Sequence, residues 1–125
     1  DGQFNHPCGV AVGVDGRIVV ADDENTRVQV FDSEGAHVLT FGSYGTGPGQ
    51  FIGLGSVAVS VHGEILVTDL SLGGMQLFSQ EGEFLRAWKR GDIRGVDIFH
   101  PYGICLDQDG RVLVSDSMGS LLMLA

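Results

Sequence analysis

Four of the seven basic side chains in this 125-residue chain, Arg86, Lys89, Arg90 and Arg94, fall within nine positions. Trp88 lies among them and Tyr102 follows shortly after. Cations interleaved with aromatic rings suit single-stranded RNA, because charge follows the phosphates while rings stack on the bases. Asp92 and Asp97 dilute the cluster, so residues 86–97 carry a net charge of only +2. A solvated loop or a protein-contacting patch is the competing reading. The chain as a whole, at −9, favours that alternative because it repels phosphate backbones.

Other polar groups invite chemistry and fall short of it. His6 and His100 are each followed by proline, but a catalytic zinc needs three protein ligands and an open position, and the intervening unit offers Gly53 instead. His37 and His62 fall on turns or edge strands, where exposure is expected. Asp22, Asn25 and Arg27 read as loop bracing: Asn25 in a left-handed turn conformation, while Asp22 and Arg27 brace the loop through hydrogen bonds. Asp69 and Asp116 repeat the acid without the arginine and are expected to accept backbone N–H bonds. No nucleophile elbow, phosphate loop or paired acid/base spacing occurs, so neither a catalytic set nor a cofactor is expected.

What positions these residues is a repeat with an offset of 47. Asp22 recurs as Asp69 and Asp116, Gln29 as Gln76, Phe31 as Phe78, and Gln3-Phe4 as Gln50-Phe51. A repeat of this length, made of short alternating strands, marks a propeller or a related array. In the first unit strands are expected at 10–14, 17–21, 27–31 and 38–41. The second gives 57–61, 64–68, 75–78 and 84–88, and the third 103–107, 111–115 and 121–124. Tight turns such as Asp15-Gly16 join them, and the Gly-rich run 42–49 leads from one unit to the next. The fold class is therefore all-β, with four-stranded antiparallel blades at about 3–43 and 50–88, and one at 98–125 lacking its outer strand.

Composition agrees with a globular, turn-rich chain: 43% hydrophobic residues and 20 Gly against 3 Pro. No window approaches the apolar length needed to cross a bilayer. Cys8 and Cys105 occupy non-equivalent repeat positions, which predicts two free thiols and a reducing, cytoplasmic setting.

The segments Gly2-Gln3-Phe4-Asn5-His6-Pro7-Cys8-Gly9-Val10-Ala11-Val12 and Asn25-Thr26-Arg27-Val28-Gln29-Val30-Phe31 resemble the NHL repeat. The opening Asp-Gly-Gln-Phe-Asn-His-Pro is typical of the propellers that end the tripartite-motif ubiquitin ligases. The resemblance spans residues 1–125. It implies a partial propeller that presents loops to a protein partner, with substrate recruitment for a ubiquitin ligase as the function. Relatives also hold single-stranded RNA on such loops, which makes 86–94 the alternative site. The motif is complete only in the first unit: Leu72 and Gly74 stand in the second, Gly119 and Leu121 in the third, and Leu54 replaces the proline. An NHL propeller closes with about six blades. The expectation is thus a piece of a longer protein, or a homodimer completing six blades by two-fold symmetry.

Overall fold

The computed structural model describes residues 3–89, 101–116 and 121–124, with side chains over 3–89 and 103–115. Its first sheet is β1 (Pro7–Val12), β2 (Ile18–Asp22), β3 (Arg27–Phe31) and β4 (His37–Phe41), antiparallel in that order. Two short strands, β5 (Ser43–Tyr44) and β6 (Gln50–Phe51), then pair in parallel. This pairing closes the Gly-rich connection on itself, a feature that alternation of residue types does not signal. The second sheet runs β7 (Leu54–Val59), β8 (Ile65–Asp69), β9 (Gly74–Phe78) and β10 (Phe84–Trp88). The third runs β11 (Pro101–Leu106), β12 (Val112–Asp116) and β13 (Leu121–Leu124). The described residues form no helix. The all-β, partial-propeller expectation holds.

Register preserves the repeat. Pro7 pairs with Asp22, Leu54 with Asp69 and Pro101 with Asp116, and in each sheet the register shifts immediately afterwards. That bulge lets the innermost strand begin earlier than its alternating residues suggest, at Pro7 instead of Val10. At the other end Gly13 N–H bonds to Arg17 C=O and Gly16 N–H to Gly13 C=O, so Val14 belongs to the turn. Two other hairpin turns share one device. Asp32 Oδ1 accepts from Glu34 and Ala36 N–H, and Asp107 Oδ1 from Asp109 and Arg111 N–H.

Packing follows from alternation. Val19, Ala21, Val28 and Val30 from the first sheet meet Leu54, Val57, Ile65, Val67 and Phe78 from the second, with Phe51 between them. Phe41 and Phe78 lie 4.7 Å apart, ring to ring. Each fully buried side chain of this size stabilises by about 1.5–3 kcal/mol. A second cluster, Leu66, Met75 and Val114 with Trp88 alongside, joins the second sheet to the third. All five residues of β8 are buried because blades cover both its faces.

Candidate macromolecule-binding face

Antiparallel pairing sorts the connections onto two ends. Hairpin turns β1–β2 and β3–β4 share one end. The longer loops β2–β3 and β4–β7 share the other, together with β8–β9. A buried acid holds each long loop. Asp22 accepts from Asn5 N–H at 2.7 Å, Asn25 Nδ2 at 2.8 Å and Arg27 Nε at 3.2 Å. Burial alone would raise its carboxyl pKa. The hydrogen bonds from Asn25, Asn5 and Arg27, with the arginine charge, outweigh burial and hold it below the usual carboxylate range. Asp69 accepts instead from the backbone N–H groups of Ile52, Gly53, Ser71 and Leu72 at 2.8–3.1 Å. Both acids thus accept hydrogen bonds from the loops at the ends of their strands. Asp116 pairs with Pro101, and its side chain lies outside the described residues.

One detail departs from expectation. The left-handed residue of the β2–β3 loop is Thr26, at φ 48°, and not Asn25. Asn25 spends its side chain on Asp22, so the turn is closed one residue later, where Thr26 N–H reaches Asp23 C=O at 2.8 Å.

The predicted partner residues divide. Arg86 is exposed on β10, its guanidinium carbon 4.6 Å from the centre of the Trp88 ring, as a cation over an aromatic face. It borders a cleft of about 360 Å³ between the second and third sheets, shared with Glu64, Leu106 and Asp109. Lys89 follows β10 and borders a different cavity, of about 290 Å³, on the long-loop end. Trp88 touches both spaces. Arg90 and Arg94 lie outside the described residues, and Tyr102 is placed on β11 without its side chain. The described part of the basic cluster therefore does not line one groove.

The same end also exposes Tyr44 (70%) and Leu72 (40%). Neither was singled out from the sequence. Their signal is position alone, since each falls in a loop that the repeat offset already assigns to that end.

A clamp between blades was missed as well. Asp23 Oδ1 accepts from Leu54 N–H at 2.9 Å, and the Cys8 thiol donates to Leu54 C=O at 3.2 Å. Burial, and then the Asp23 and Asp22 charges, push the Cys8 thiol up, so it remains a protonated donor at neutral pH. Cys8 and Cys105 are both free thiols.

Comparison with known proteins follows this geometry. A family model described as NHL repeat matches residues 4–31. Protein brain tumor of Drosophila melanogaster is 38% identical over 117 residues, covering 91% of this chain and 11% of its own length. B-box type zinc finger protein ncl-1 of Caenorhabditis elegans is 43% identical over 117 residues, with 91% and 13% covered. The chain thus spans a small part of the relatives it matches. Among solved structures, virginiamycin B lyase from Staphylococcus aureus superposes with TM-score 0.68 at 14% identity, over 97% of this chain and 41% of that one. A chain of the nidogen/laminin complex gives 0.67 at 18%, with 95% and 48% covered. At these identities the two structures speak for the fold alone.

Proposed function

We propose, from the premise that this chain belongs to the NHL-repeat propellers, that it is a protein-interaction module whose long-loop end recruits a protein substrate for a ubiquitin ligase. The observation that carries this reading is the presence of Tyr44 and Leu72, both exposed, on connections that buried Asp69 ties down through the N–H groups of Ile52, Gly53 and Leu72. Rigid strands present adaptable loops, and exposed aromatic residues on them are favoured anchors for a protein surface. Among the described residues no helix is long and apolar enough to cross a membrane. The two free thiols support a reducing, cytoplasmic setting.

The test compares proteins retained by the unmodified chain with those retained by Tyr44→Ala/Glu24→Arg at the long-loop end. Glu34→Arg, in a hairpin turn at the opposite end, serves as the control. A defined set of proteins lost with the first variant and kept with the second supports the reading. Equal retention by both variants overturns it.

Single-stranded RNA binding is the second reading, favoured by the Arg86–Trp88 stack. It requires an affinity that falls steeply with salt and weakens in Arg86→Ala/Lys89→Ala. Absence of binding at low salt removes it. The separation of Arg86 and Lys89 into different cavities, on a chain of charge −9, makes the protein reading the stronger.

A further inference from the structure

The cavity of about 290 Å³ in the second blade stands where the first blade has an arginine. It is bordered by Asp69, Leu72, Gly74, Gln76, Trp88 and Lys89 among others. At the repeat offset of 47, Asp69 corresponds to Asp22, Leu72 to Asn25, Gly74 to Arg27, Gln76 to Gln29 and Trp88 to Phe41. In the first blade Arg27 occupies this place, with Nε 3.2 Å from Asp22 Oδ2 and Nη2 donating to Gln3 C=O at 2.6 Å. Gly74 has no side chain to put there. A Cβ built on it would lie 2.5 Å from the Trp88 carbonyl oxygen, so the second blade does not readily regain an arginine from its own backbone.

The receiving groups have nevertheless been kept. Asp69 is 2% exposed and borders the cavity. Its Oδ1 takes the N–H groups of Gly53, Ser71 and Leu72, while Oδ2 takes that of Ile52. A carboxylate has about four acceptor positions over its two oxygens, and Oδ2 retains one. Among the described residues Asp69 makes no ion pair, whereas Asp22 has Arg27. The Gln50 carbonyl, counterpart of Gln3, receives Gln76 Nε2 at 2.8 Å, as Gln3 receives Gln29 Nε2 at 3.0 Å. A buried carboxylate with an open acceptor position, bordering the same cavity as Trp88, forms a receptor for a planar cation.

We infer that this cavity is a socket for an arginine side chain presented by a protein partner, which supplies in trans the guanidinium that Arg27 supplies in cis. The inference rests on the interaction-module reading above and names the chemistry of its partner. The net charge of −9 draws basic segments toward the chain, whereas a phosphate would meet the Asp69 carboxylate. Lys89 borders the opening and opposes any cation. It is exposed, on a long flexible stem, and so stands at the rim. Arginine is preferred to lysine because its planar fork pairs with a carboxylate and its face stacks on an aromatic ring.

Trp88 is the chain's only tryptophan, so its fluorescence reads the cavity directly. The 125-residue chain is titrated with acetyl-Gly-Arg-Gly-amide, and separately with the uncharged citrulline analogue. The arginine peptide is expected to change the emission saturably, and the citrulline peptide to bind at least about tenfold more weakly for want of the charged hydrogen bond. Ala87→Leu fills the cavity from β10 without touching the Asp69 bonds, and is expected to abolish the response while keeping the β-sheet circular dichroism. Equal responses to the two peptides, no saturable response, or full binding by a folded Ala87→Leu chain each overturn the socket. Should the socket fail while Tyr44→Ala/Glu24→Arg still loses its proteins, the interaction-module reading stands alone.

Discussion

Asp23 in the first blade and Leu54 at the start of the second form a matched pair, joined by the 2.9 Å bond from Leu54 N–H to Asp23 Oδ1. The first and third blades have Pro7 and Pro101 in the register position of Leu54, and proline has no N–H to give. Where Asp23 supplies an acceptor, the sequence supplies a donor in place of the family's proline. At the repeat offset Asp23 becomes Leu70, and the following strand begins with Pro101, so acceptor and donor disappear together. A departure from the repeat is thus explained by its neighbour across the blade interface.

Asp23→Ala is therefore expected to destabilise the chain by about 1–3 kcal/mol, the cost of leaving a partly buried N–H unmet. In a Leu54→Pro background the same change should cost clearly less, because no donor remains. Urea unfolding of the four chains measures the coupling. Additive effects would show that the bond contributes nothing.

Asp22 contributes to stability in acid. Its folded carboxyl is held below its ordinary value of 3.8, so the unfolded chain binds the proton more readily. The stabilisation is fully present above pH 3.8 and is lost as pH falls through the lowered folded value. The stability difference between the unmodified chain and Asp22→Asn should shrink as pH drops through that window. A pH-independent difference would contradict the assignment.

At Gly9 the backbones of two blades approach closely. A Cβ there would stand 2.9 Å from the Gly55 carbonyl oxygen and 3.1 Å from Ser56 Cα, both backbone atoms that cannot turn aside. Gly9→Ala should cost about 1–3 kcal/mol through overpacking, read as a lower urea midpoint. Val14→Ala, at an exposed turn position, should change that midpoint little.

Val10 and Val12 are 66% and 65% exposed on the outer face of the first blade. Their repeat counterparts, Val57 and Val59, pack into the core shared with the preceding blade. Val57→Lys, which would bury a charge among apolar side chains, should lower the urea midpoint strongly, whereas Val10→Lys should change it little. Equal effects at the two positions would contradict this packing.

By itself the sequence determined the all-β class, the offset of 47 and the approximate positions of the strands. These are local properties: alternation, turn residues and recurrence need no knowledge of what lies across an interface. It also assigned Asp22 and Asp69 as braces, since an acid at the end of a strand meets the N–H groups of its own loop. Only the tertiary structure decided which loop residue turns left-handed, where β1 begins, and that Arg86 and Lys89 face separate spaces. Only there does Asp23 meet Leu54, 31 residues away, and does the glycine at the place of Arg27 become a cavity beside Asp69. The physical reason is that such relationships belong to pairs of surfaces. A missing side chain becomes a site only when packing leaves its volume unfilled, and packing is fixed by neighbours that the linear order keeps apart.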